Sequence, residues 1–259
     1  MSRVVRRLAV GLAVVCLILP LLPVWLWAGA DRWTFPSLLP QEWGTRGWRG
    51  AIQAGLPSAL ASSFILAILV SAIATPVGVA IGRVLGWRLT HHPRMVLLLL
   101  LAPVVLPSFA VAMGLDVLVV RSGVPPMTAV VALLVVAAVP YTAYTCAVGF
   151  ARTPATLEEQ ARALGATTRQ AHWRVVLPAV RTSILVAALL SFLVGWSDYI
   201  ITVVIGGGQV ITAPVLLGSA ASGSGNEPSV AAMALPLLAV PVLLVALAAR
   251  ASDPREEAS

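Results

Sequence analysis

The sequence predicts an all-α integral membrane protein with six transmembrane helices, and three observations carry that expectation. Of its 259 residues, 59% are hydrophobic and 10% are charged, whereas a soluble domain carries about 25% charged residues. Several apolar runs approach or exceed the ~20 residues that cross a hydrocarbon core. No polar segment is long enough to build a separate core, so residues 1–259 read as a single transmembrane domain.

The spans are expected at about 8–28, 57–82, 95–114, 127–150, 182–205 and 230–249. The first follows Arg3, Arg6 and Arg7. Its apolar run is too long for a typical signal-peptide core, and Trp25 and Trp27 suit an interface, so it reads as retained. Residues 31–55 contain Trp, Gly and Pro and read as an external loop with room for a short interfacial helix. The second span leads into a basic loop, 83–94. The third contains Pro103 and Pro107, which should kink it, and ends before a short external connection holding Asp116 and Arg121. The fourth contains Pro140. The fifth and sixth are joined by a glycine-rich linker, and the tail after 250 is polar.

All 17 basic residues are Arg, and the net charge is +7. These arginines lie between the spans rather than in one patch, so a nucleic-acid surface is not expected. Six spans put both termini on one face. That face carries thirteen Arg and the other carries four, namely Arg32, Arg46, Arg49 and Arg121. The positive-inside rule makes the first face cytoplasmic. Cys16 and Cys146 both fall in apolar runs and read as small hydrophobes. His91, His92 and His172 have no metal-ligand spacing. No internal repeat is visible, so the inverted halves of many secondary carriers are not expected.

The segment 152–181 interrupts this apolar chain with charge. Thr156 with Glu159 and Thr167 with Gln170 each fit a capping box. Gly165 is a natural stop between the two short helices, and Leu177-Pro178 should end the second. Helices this short are marginal alone and need a surface. Two readings remain open on pattern: an amphipathic segment lying on lipid headgroups, or a docking element for a cytoplasmic partner.

Glu159-Gln160-Ala161, then Gly165, then Val175-Val176-Leu177-Pro178 resembles the EAA signature of permease subunits of bacterial ABC importers. Both spacings of that pattern are met. Gln160 stands where the family has Ala, and Val175 where it has Ile. The likeness covers the chain from about Pro57 to Arg250 and implies a type I importer permease fold, with a cytoplasmic coupling helix between helices four and five. It further implies that Glu159, Gln160, Ala161, Leu164, Gly165, Ala166, Thr167, Leu177 and Pro178 form the ATPase-coupling segment. The implied partners are ABC ATPase subunits, a second permease copy or a related permease, and an extracytoplasmic solute-binding protein. The implied location is the bacterial inner membrane.

The chain has no Lys, so it cannot hold a P-loop, whose Lys reaches the phosphates. ATP and Mg²⁺ are therefore expected on a partner chain, with no cofactor and no catalytic residue here. In the fifth span, Asp198 is the one acid well inside an apolar run. A charge at that depth should not face lipid. It either lines the solute path with Trp196, Tyr199 and Thr202, meeting a cationic or hydroxylated solute, or bonds a neighbouring helix. Gly206-Gly207-Gly208 with Thr212-Ala213-Pro214 resembles the loop after the fifth span in polyamine, iron and thiamine permeases, and otherwise reads as a plain loop. The rival functions are a secondary carrier or channel without an ATPase, and a membrane scaffold.

Overall fold

The computed structural model describes residues 11, 16, 19–34, 36–223, 225 and 227–251. They form a helical protein with two compact units, Met1–Leu60 with Ala213–Val240, and Ala61–Thr212 with Pro241–Ser259. The elements are α1 (Leu22–Ala28), β1 (Ala30–Arg32), β2 (Glu42–Trp43), α2 (Arg46–Gln53), α3 (Leu56–Gly86), α4 (Pro93–Val105), α5 (Ser108–Ser122) and α6 (Pro126–Arg152). There follow α7 (Thr156–Ala163), α8 (Thr168–Ala171), a π-helical turn (His172–Val176), α9 (Leu177–Ala179), α10 (Arg181–Ser197), α11 (Ile200–Gly206), α12 (Ala213–Ala221) and α13 (Glu227–Ala251).

Among the described residues, three helices are each long and apolar enough to cross a membrane: Leu56–Gly86, Pro126–Arg152 and Glu227–Ala248. Two bent pairs raise the number to five if each pair is one span. Much of the first half of the expected first span, and the polar tail, lie outside the described residues. Leu19–Ala28 is the apolar helical part of that span that is described.

The first unit is organised by residues 31–55. Residues 31–55 hold the expected short helix, α2, and also an antiparallel strand pair that pairs Ala30 with Trp43 and Arg32 with Glu42. Strands of two or three residues are too short to show an alternating pattern, which is why they were not legible. The Asp31 carboxylate accepts the Arg46 N–H at 2.7 Å, placing negative charge at the start of α2. Gly47 and Gly50 let α2 sit directly against Pro228 and Ser229 of α13. Ala51, Leu56, Ala232 and Met233 form the apolar core beside that contact.

In the second unit, α3 packs against both α6 and α10 through small and polar residues. Gly78, Gly82 and Gly86 recur every four residues, and a Cβ on any of them would collide with α6 at Thr142, at Cys146, or at Ala147 and Phe150. Between helices in lipid, such close approach and occasional hydrogen bonds replace the hydrophobic drive of a water-soluble core. Thr142 Oγ1 donates to the Ala74 carbonyl at 3.1 Å. Toward α10, Ser71 Oγ donates to the Ala188 carbonyl at 2.9 Å, and Thr75 Oγ1 meets Ser191 Oγ at 3.2 Å. The outer face of α3 exposes Ile65, Ile68 and Ile73, as a lipid-facing surface should.

The proline expectations need correction. Pro103 lies inside α4 without ending it. The break falls at Leu106-Pro107, where Leu106 is extended (φ −76°, ψ 131°) because a residue before proline is pushed out of the α region. The chain turns by 89° there. The following helix, α5, runs to Ser122, so Asp116 and Arg121 are helical and do not belong to a loop. The fifth span is also divided, at Asp198 and Tyr199, between α10 and α11. The glycine-rich linker contains the helix α12, and its described loop positions lie on either side of that helix, around Gly207 and Gly208 and again at Ser222, Gly223 and Gly225, with positive φ at Gly207, Gly208 and Gly225.

Candidate functional site

The charged segment folds as helix, bend, helix. The first capping box does not form: Thr156 is already the first residue of α7, and the residue before it, Ala155, makes no side-chain cap. Glu158 and Glu159 instead place negative charge in the first turn, where the helix dipole favours it. Gly165 makes the bend with φ +91°. The second capping box is formed. Gln170 N–H donates to Thr167 Oγ1 at 3.3 Å, and Thr167 N–H donates to Gln170 Oε1 at 2.9 Å.

Leu177-Pro178 does not end the second helix. Pro178 has no N–H and crowds the carbonyl four residues back, and the preceding ladder widens into the π turn. The helix ends at Val180 (φ −106°, ψ 12°), and the chain bends by 74° into α10.

One side of this segment is anchored and the other is free. Val176 and Val180 pack with Cys146, Phe150 and Ala187, together with Val79 and Trp87. Trp87 Nε1 donates to the Thr153 carbonyl at 3.0 Å, and its ring meets Phe150 edge-on at 5.2 Å. Facing away are Glu159, Gln160, Gly165 and Thr167, all exposed, and Leu164, which is 90% exposed. Ala161 and Ala166 are half-buried, as is Leu177, while Pro178 is exposed. The acid that turns inward is Glu158, which the capping-box pattern passed over. Arg83 Nη2 donates to its Oε2 at 2.6 Å. Arg83 therefore belongs to the body of α3 and not to the basic loop expected at 83–94.

A second feature lies at membrane depth. A cavity of about 470 Å³ is lined by Ser108, Tyr141, Ser197, Asp198 and Tyr199 among apolar neighbours including Leu106 and Ile201. Both chain breaks, at Leu106-Pro107 and at Asp198-Tyr199, open onto it. Backbone freed from helical bonding at this depth is tolerated where it lines a cavity. Asp198 Oδ2 accepts both the N–H and the Oγ1 hydroxyl of Thr202, each at 2.8 Å, and so caps α11. Among the predicted path residues, Asp198 and Tyr199 line the cavity. Thr202 is fully buried behind Asp198. Trp196 is 3% exposed and stacks on Phe192 at 5.9 Å, beside Phe64. Ser108 and Tyr141 come from other helices, and no sequence signal tied them to Asp198.

Segment and cavity together describe a helical membrane protein with an exposed, charged helix–bend–helix and a recess between broken helices. Residues 74–257 match the family of binding-protein-dependent transport system inner membrane components. The chain belongs to that family and is an inner-membrane permease component. It is 32% identical over 114 residues to the trehalose transport system permease protein SugB of Mycobacterium tuberculosis (strain CDC 1551 / Oshkosh). That match takes in 42% of this chain and 41% of the relative, so the chain spans less than half the length of that curated protein. The relative is a sugar permease, and the likeness to polyamine, iron and thiamine permeases drawn from Gly206–Gly208 finds no support in it. Among solved structures, the fold superposes with TM-score 0.68 on a bacterial ABC transporter involved in the import of the acidic polysaccharide alginate. That superposition covers 97% of this chain and 98% of the other at 15% identity, and it speaks to the fold alone.

Proposed function

We propose that this chain forms half of the translocation path of an ATP-driven solute importer of the bacterial inner membrane. A second permease supplies the other half, two ATPase subunits dock on the coupling segments, and an extracytoplasmic binding protein delivers solute. Both termini lie on the cytoplasmic side, as the arginine distribution favours. The observation that carries the proposal is the two-sided coupling segment. Its inner side is held by Glu158, Val176 and Val180, while Glu159, Gln160, Leu164 and Gly165 are presented outward with nothing covering them. A leucine 90% exposed beside a glycine bend suits a groove on a partner. ATP binding closes the ATPase pair, the coupling segments move with it, and the equilibrium between inward and outward states shifts.

The solute class is read from the cavity at Asp198. Its lining carries a carboxylate, two tyrosines and two serines, and no basic side chain. Such a lining suits a neutral, hydroxylated solute and disfavours an anion. The Asp198 carboxylate already accepts two hydrogen bonds from Thr202, which favours accepting solute hydroxyls over pairing with a full cation. The sugar specificity named for the mycobacterial relative agrees with this choice.

The test is purification of the chain with its partners. An ATPase that co-elutes, and is lost on Gly165→Trp, supports the proposal. ATP-independent uptake points to a secondary carrier, and partner binding without transport to a scaffold. A ligand screen on the co-purified binding protein then tests the solute class, and a cationic or anionic ligand would overturn it.

A further inference from the structure

The short helix α7 carries the outward Glu159 and Gln160 and leads into Leu164 and Gly165, yet its one buried side chain is an acid, Glu158. A helix of eight residues is marginal in water and needs an attachment. The segment around α8 and the π turn has apolar anchors in Ala171 and Val176. Besides its packing on α8 and the π turn, α7 is tied to α3 by the Arg83–Glu158 pair, with side chains 31% and 11% exposed.

Arg83 is itself held in place. Its guanidinium lies over the Trp87 ring at 4.9 Å, and Nη1 is 3.5 Å from His172 Nδ1. Its Nε is buried and has no hydrogen-bond partner. The charge is therefore oriented toward Glu158 on one side and the start of the π turn on the other. Arg83 also stands about two turns along α3 from Thr75, whose hydroxyl meets Ser191 of α10. The helix that receives α7 is thus the helix hydrogen-bonded to α10, which ends at the Asp198 break.

We propose that Arg83 and Glu158 are positioning residues that bind α7 to α3 as one moving body. The ion pair passes displacement of the coupling segment to the helices around the cavity. Glu159, the acid of the EAA pattern, faces the ATPase, and Glu158 faces the membrane domain. This rests on the coupling role proposed above.

The test uses the assembled complex with Cys16→Ser and Cys146→Ala as background. Spin labels are placed at Thr156→Cys, at the start of α7 and outside residues 159–167, and at Ile73→Cys, both of them exposed. Labelled chains are diluted with unlabelled ones, so that distances within one chain are read. Without nucleotide and with ATP–vanadate, the background protein should give the same separation to within about 2 Å, the scale of a packed-helix adjustment. Arg83→Gln and Glu158→Gln should each give a separation that differs between the two states by more than that. The exchanged pair Arg83→Glu with Glu158→Arg should restore it. Single variants with the background behaviour in both states overturn the proposal. If the single variants fail to assemble, restoration by the exchanged pair supports it, and failure of the exchanged pair as well overturns it. Absence of any co-eluting ATPase from the background protein refutes the coupling reading instead, before a variant is made.

Discussion

Gly165 gives the sharpest quantitative handle on the proposed coupling segment. Its φ is +91°, and nothing lies within 4 Å of where a Cβ would be. In the free permease, then, a side chain there meets no atom and pays only for its backbone conformation. An L-residue forced to positive φ costs about 1–2 kcal/mol. That corresponds to a factor of roughly 5–30 in the population of the bent segment. Gly165→Ala should therefore weaken ATPase binding by about that factor, read by titrating purified ATPase subunit onto the permease in nanodiscs. Asn visits positive φ more readily than Ala. Gly165→Asn should weaken binding less than Gly165→Ala does, although its side chain is larger. Wild-type affinity in Gly165→Ala would refute a required positive-φ bend. An Asn variant weaker than the Ala variant would show that the added atoms collide with the partner, and that backbone strain is not the limiting term.

Further outcomes follow from the packing. Gly82→Leu places a Cβ 2.5 Å from that of Cys146 and 2.8 Å from the Ala147 nitrogen. Overpacking of this kind costs about 1–3 kcal/mol or more, and the melting temperature in detergent should fall. Gly114→Leu has open space around it and should melt like the parent protein. Thr142→Val removes the interhelical bond to Ala74 and should cost only about 0.6 kcal/mol, the average found for such bonds in membranes. Asp198→Ala removes the acceptor for two Thr202 donors and should cost about 0.5–2 kcal/mol, as loss of a helix cap does. Asp198→Asn keeps an acceptor oxygen and should melt closer to wild type. If uptake and solute preference are also unchanged in Asp198→Asn, the carboxylate has no part in the solute path.

The long elements were legible because composition and length decide them. Thirty-one residues from Leu56 to Gly86 with one charge, Arg83, can hardly be anything but a membrane helix. The helix–bend–helix of residues 156–179 was legible because Gly165 and the Thr167 box are local devices. Thr156 misled, since a Thr three residues before a Glu looks the same whether it caps the helix or begins it. The breaks were half legible. Proline marked the third span, but which of Pro103 and Pro107 divides it depends on where the carbonyls four residues back find partners. Asp198 signalled a special site, and that it caps α11 across a break depends on the backbone of Asp198 and Tyr199, which no spacing rule gives. The Arg83–Glu158 pair joins residues 75 positions apart on the chain and had no sequence signature.

The central claim is that the outward face of residues 159–167 seats in an ATPase subunit. The most direct measurement is a site-specific cross-link from Leu164→Cys in the purified complex, with the adduct identified by mass spectrometry. The expected product joins this position to a chain containing a P-loop, and it is lost in Gly165→Trp. Cross-links to lipid or to the permease itself, with no P-loop protein attached, would contradict it.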